Sequence, residues 1–186
     1  MLKNTEILRT SWPELLYNHS TLSSYIEKAL EDVPILPNKQ AYYINVLDIT
    51  GLNKVTELKE WIEEYLLSIK DQFDNSNAKK INFTTYWVVK IVKGSTVECH
   101  IHSTIRPTCG IAIFYFQTPP EGSNLVLVKD GDLHQPIESQ IQENCNIFNA
   151  KAGDLLVHSN TAIHGMYKYT SDKDTIALVF DFGYIE

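Results

Sequence analysis

From residue 81 onward the apolar residues fall into short β-rich runs with turn residues between them, and no other feature restricts the fold as much. Runs such as "IAIFYF" and "IALVF" have the length of strands, not of helices. The separators "KGS", "TPPEGSN", "KDGD", "KAGD" and "TSDKD" carry the Gly, Pro, Asn and Asp that tight turns require. Strands are predicted near 81–92, 95–103, 109–118, 124–129, 144–149, 153–158, 162–169 and 174–183. So many short strands in so little chain point to a sandwich or barrel. The expected class is mainly β with flanking α: a double-stranded β-helix of the jelly-roll kind, with N-terminal helices packed outside it.

The first part of the chain reads differently. Residues 19–32 suggest a helix capped by Ser20 or Thr21, with Tyr25, Ile26 and Leu30 on one stripe. Pro34 and Pro37 stop it, and "AYYINVLDI" reads as extended. Residues 55–74 predict the strongest helix, because Leu58, Trp61, Ile62, Tyr65, Leu66 and Ile69 recur at three- and four-residue spacing. No repeat, low-complexity stretch or linker divides the chain. We therefore expect one domain over 1–186, with a mixed part at 1–80 and a jelly-roll core at 81–186.

Charge and cysteine usage limit the partners. The net charge is -7 and there is no basic tract, so a nucleic-acid partner is not expected. No apolar run is long enough for a bilayer span, and "MLKNTEILRTSWPELLYNHS" lacks the apolar core of a signal peptide. The expectation is a cytoplasmic protein with no membrane partner. Cys99, Cys109 and Cys145 form neither an even set nor a C-x-x-C, which suggests reduced thiols, with Cys99 packed inside. In a fold with edge strands, pairing of two copies into a homodimer is an open expectation.

The chemistry is carried by histidines. His100 and His102 stand two apart in "VECHIHST", and residues i and i+2 of a strand face the same side. His164, in "GDLLVHSNTAIH", completes a triangle if the fold sets its strand alongside. Two histidines and a third ligand on one face of a metal, with the other face open, suit a non-haem Fe(II) centre that binds O2 and substrate together. Three neutral imidazoles leave the metal its full +2 charge and also suit Zn(II) or Cu(II), so ligand type alone does not choose the metal. His158 competes with His164 for the third place, and otherwise lines the pocket or lies behind a ligand. Glu98 shares the face of His100 but would have to bend back to coordinate. His134 and His19 read as surface residues, and Trp87, Phe114 and Tyr115 as candidate pocket walls.

From Trp87 to Phe180 the chain resembles the small 2-oxoglutarate/Fe(II) oxygenases of phage and bacteria. The matching pieces are Trp87, Gly94, "HIHS" at 100–103, "CGIAIFY" at 109–115, "GSNLVLVKD" at 122–130, "GDLLVHSNTAIH" at 153–164 and "TIALVFDF" at 175–182. The resemblance implies Fe(II) held by His100, His102 and His164, 2-oxoglutarate as co-substrate, and oxidation of a small molecule, amino acid or peptide by O2. It also carries departures. Ser103 replaces the Pro after H-x-H, His158-Ser159 replaces a Phe-Pro pair, and Ala112 replaces an aromatic. The Arg that would grip the distal carboxylate of 2-oxoglutarate falls at Thr175, which forms no charge-assisted pair. Arg106 is the best replacement at this co-substrate position, ahead of Lys90, Lys129, Lys168 and Lys173. The spacing is similar to a cupin as well: Gly94 to His102, and Gly153 to His164, fit that family's two motifs without its glutamate. A three-His cupin oxygenase or oxidase needs no 2-oxoglutarate, and a metal-free jelly-roll binding module is a further alternative.

Overall fold

The computed structural model describes residues 2–13, 22, 26, 42–45, 53–102 and 108–186, with side chains described outside 42–45 and 53–56. Among the described residues, ten strands form two antiparallel sheets, with β1 Leu8–Ser11, β2 Tyr42–Asn45, β3 Lys80–Ile91, β4 Val97–His100, β5 Gly110–Gln117, β6 Ser123–Val128, β7 Cys145–Ala150, β8 Asp154–Ser159, β9 Ile163–Met166 and β10 Thr175–Ile185. The larger sheet runs β1-β8-β5-β10-β3-β2 and the smaller β4-β9-β6-β7. Two facing antiparallel sheets wound in this way form a double-stranded β-helix.

Side-chain alternation sorts the larger sheet into two faces. Ala112, Phe114, Phe116, Leu155, Val157, Leu178 and Phe180 lie on the outer face, under the helix α1, Asn53–Ser68. Val89, Ile91, Ile111, Ile113, Tyr115, Leu156, Ala177 and Val179 point between the sheets. Both faces are covered, which explains why β5 and β10 are almost continuously apolar. The α1 stripe works as its spacing predicts, with Leu58, Ile62 and Leu66 at most 1% exposed. The predicted helix of 55–74 divides: α1 ends at Ser68, and Lys70–Phe73 tighten into a 3-10 turn.

All eight strands predicted after residue 80 are present, although the one containing His100 is shorter, ending at His100 itself. Gly94 and Gly153 take positive φ (88° and 93°) in the turns before β4 and β8, where a Cβ would be strained. Of the predicted helix at 19–32, only Leu22 and Ile26 are among the described residues; both are helical and buried. β1 was not foreseen. It joins the edge of β8 through Leu8↔Val157 to Ser11↔Asp154, and Asp154 accepts hydrogen bonds from Ser11 Oγ (2.6 Å) and Arg9 Nη2 (2.5 Å). Four residues with one strongly apolar member carry too little periodicity to be legible alone.

No helix among the described residues is long and apolar enough to cross a membrane. The expectation that Cys99 packs inside holds. Cys99 is fully buried with Val126, Val128 and Ile137 on the outer face of the smaller sheet, and burial pushes its thiol up to about 11.

Candidate metal centre

The register of β4 on β9 makes His100 and His164 direct cross-strand partners. Partners opposite one another in an antiparallel pair place their Cβ atoms about 5 Å apart, so two imidazoles meet there without distortion. His102 lies two residues beyond His100, past the end of the strand, where its N–H donates to Asn160 O at 3.1 Å. That bond keeps the alternation going for one more step: Ile101 faces out and His102 turns in. Ring centroids stand 4.2 Å apart for His100–His164, 5.1 Å for His102–His164 and 5.4 Å for His100–His102. One ring nitrogen from each lies within 4.8 Å of the other two, an arrangement that could hold a metal ion.

The remaining ring nitrogens fix the tautomers. Nδ1 of His100 donates to Glu98 O (2.8 Å) and Nδ1 of His164 to Ala162 O (3.0 Å). A carbonyl only accepts, so the proton sits on Nδ1 and the lone pair on Nε2. Nδ1 of His102 contacts Asp181 Oδ1 at 2.7 Å, and the Trp87 indole stacks on the His102 ring at 5.5 Å. Each imidazole is therefore held by a partner behind it, the arrangement that orients metal-binding histidines. The donor set fits a borderline divalent ion such as Fe(II).

An apolar cavity of about 70 Å3 opens beside the triad, between the sheets. Trp87, Val89, Ile113, Tyr115, Leu125 and Val179 are among its walls. Trp87 and Tyr115 thus line it as the sequence suggested. Phe114 does not: it points to the opposite face of β5, edge-on to Trp12 and Trp61 at 5.9 and 6.3 Å. The reason is parity, since Tyr115 and Phe114 are adjacent on one strand.

The candidate co-substrate residues are less well placed. Arg106 lies outside the described residues. Thr175 is fully buried, and its Oγ1 bonds the Tyr169 hydroxyl at 3.0 Å while that hydroxyl donates to Lys173 O. Lys90 pairs with Asp174 at 3.1 Å, and Lys129, Lys168 and Lys173 are exposed. No Lys or Arg among the described residues lines the cavity. Glu98 contributes its backbone carbonyl, and its carboxylate is not in the cluster. His134 is exposed, as expected, and His19 lies outside the described residues.

His158 is fully buried on β8, with its ring 4.5 Å from that of His164, but stands outside the group of three. Its Nδ1 donates to Ser159 O, and its buried Nε2 has no partner. Burial lowers its pKa to about 3, and burial likewise lowers those of His100 and His164. An imidazole neutral in the fold, but protonated once unfolded below its ordinary 6.5, favours the unfolded chain in acid. Its contribution is complete above pH 6.5 and is lost as pH falls from there toward 3. The urea midpoint of the metal-free protein should fall steadily between pH 7 and 5. A flat profile would contradict neutral, buried histidines.

Asp181 was not anticipated from the sequence. A signal for it existed: it is the one charged residue in the strand Thr175–Ile185, and it shares the inward parity of Ala177 and Val179.

No family model matches the chain, and no curated protein matches it in sequence. Its fold, in contrast, is that of solved 2-oxoglutarate/Fe(II) oxygenases, which match it over almost its whole length. One is an oxidoreductase of the 2OG-Fe(II) oxygenase family from Burkholderia pseudomallei, with 12% identity and TM-score 0.64 over 95% of this chain and 84% of that one. HygX from Streptomyces hygroscopicus, solved with nickel and 2-oxoglutarate bound, gives 14% identity and TM-score 0.63 over 97% and 83%. A Pseudomonas putida prolyl-4-hydroxylase gives 11% and 0.60 over 97% and 93%. At such identities the shared property is the double-stranded β-helix.

Proposed function

We propose that the protein is a mononuclear non-haem Fe(II) dioxygenase, 2-oxoglutarate-dependent, that oxidises a small molecule or peptide. The observation that carries this reading is the convergence of His100, His102 and His164, tautomers set by their Nδ1 partners, at the mouth of an apolar cavity. The fold shared with 2-oxoglutarate/Fe(II) oxygenases supports the choice of metal and co-substrate. Fe(II), when bound, would activate O2, with 2-oxoglutarate supplying two electrons as it loses CO2 to become succinate and the substrate supplying the other two; one oxygen atom would enter succinate and the other the substrate.

The chain's own share is positional. The three imidazoles would hold an ion from one side and leave the cavity side open. Trp87 braces the His102 ring, and the apolar walls exclude water from the reacting groups. Those walls favour a neutral or apolar group of the substrate over a charged one.

One observation favours a second reading. The described cavity wall has no cation for a dicarboxylate, and Thr175 is engaged by Tyr169. This suits a three-His oxygenase that uses O2 without 2-oxoglutarate. Anaerobic titration with Fe(II), followed by 2-oxoglutarate, separates the two. We expect tight iron binding and a visible charge-transfer band on adding 2-oxoglutarate. Iron binding without the band favours the second reading. Absence of iron binding overturns both and leaves a binding module.

A further inference from the structure

We propose that Asp181 is a positioning residue that supplies, through His102, the negative charge missing from the three-imidazole ligand set. The proposal rests on the metal-centre reading above and adds a residue to it.

Three neutral imidazoles do nothing to offset the charge of a divalent ion. Asp181 Oδ1 lies 2.7 Å from Nδ1 of His102, the distance of a charge-assisted hydrogen bond. The two side chains are only 16% and 9% exposed, so water screens the pair weakly. A carboxylate accepting from Nδ1–H draws that proton toward itself and makes Nε2 a stronger donor to a metal. His100 and His164 have backbone carbonyls in the same role, which carry no net charge. The three ligands are thus unequal, and His102 is the one with anionic character.

The placement of Asp181 is built into the sheet. It sits at a register shift in the β10–β3 pairing, between Asp181↔Thr85 and Phe182↔Phe83, and its carbonyl accepts from Thr84 Oγ1 at 3.4 Å. Phe182 and Phe180 on either side point outward into the helix-side core, which fixes Asp181 inward. Asp154, a buried acid on β8, is committed elsewhere, to Arg9, Ser11 and Lys151 N. His102 is meanwhile held from the side by Trp87, so its ring cannot swing away from the carboxylate without unstacking.

Asp181→Asn tests the charge, because an amide oxygen still accepts from Nδ1–H while carrying none. Asp181→Ala tests the hydrogen bond as well. We expect Asp181→Asn to melt within a degree or two of wild type without metal, yet to bind Fe(II) about tenfold more weakly, and Asp181→Ala up to about 100-fold more weakly. The lost charge weighs more on Fe(III) than on Fe(II), and if Fe(III) affinity falls tenfold further than Fe(II) affinity, the iron potential rises by about 59 mV in Asp181→Asn. Asp181→Glu should keep part of the affinity that Asp181→Ala loses. Unchanged affinity and potential in Asp181→Asn, with wild-type protein binding Fe(II), would overturn the proposal and leave Asp181 a purely structural partner. Wild-type protein that binds no Fe(II) would instead fail the metal-centre reading, and the two failures are told apart by that control.

Discussion

Replacing His164 by Ala should abolish tight Fe(II) binding and, with it, O2 consumption. His164 is the proposed ligand that no local feature could supply, arriving from β9 opposite His100. Its loss leaves two imidazoles that are neighbours in sequence, with the open face of the site enlarged. Removing a hydrogen-bond partner behind a ligand already costs roughly 10- to 100-fold in metal affinity, so losing the ligand itself must exceed that. His164 is also buried, and its Nδ1 holds Ala162 O, so a fold check belongs with the measurement. His164→Gln preserves most of the volume and an acceptor atom, and should bind iron measurably but weakly. Anaerobic competition against a chromophoric chelator gives both affinities. Wild-type affinity in His164→Ala would remove this histidine from the site and make His158, its neighbour at 4.5 Å, the residue to test next.

Phe114→Ala should show the opposite separation, with a large loss of stability and an intact metal site. Phe114 is fully buried at the centre of the helix-side core, meeting Trp12 and Trp61 edge-on. Truncation removes the transfer free energy of the ring and leaves a cavity beneath α1, at a cost of about 3–5 kcal/mol. The site lies across the sheet on the other face, where Tyr115 faces the cavity. Urea denaturation should register the full loss, while Fe(II) affinity measured well below the new midpoint should match wild type. A variant that keeps its stability but loses iron would place Phe114 in the cavity wall, contrary to the parity of β5.

The contrast between these two residues bears on how far the chain could be read unaided. The strand runs after residue 80 and the α1 stripe were legible because each rests on a repeat of two or of 3.6 along a contiguous segment. The approach of His100 and His102 followed from the same rule, although the strand stops at His100 and a single bond to Asn160 O extends its alternation. β1 was not legible, since four residues become a strand only against β8. Tyr115 and Phe114 could be assigned to opposite faces, but not to the correct ones. Both faces of β5 are covered by apolar neighbours, and its own composition does not distinguish them.

The histidines divide in the same way. Sequence spacing allowed either His158 or His164 beside the pair, and both are buried and neutral. The choice was made by pairing, since β9 lies against β4 in the smaller sheet while β8 belongs to the larger one. Asp181 reached His102 across 79 residues for the same reason, through the position of β10 in the larger sheet. By itself the sequence determined the local periods, the turns and the set of residues able to hold a metal. The tertiary structure alone decided which of them meet, because register between distant strands depends on packing both sheets at once and leaves no trace in any single segment.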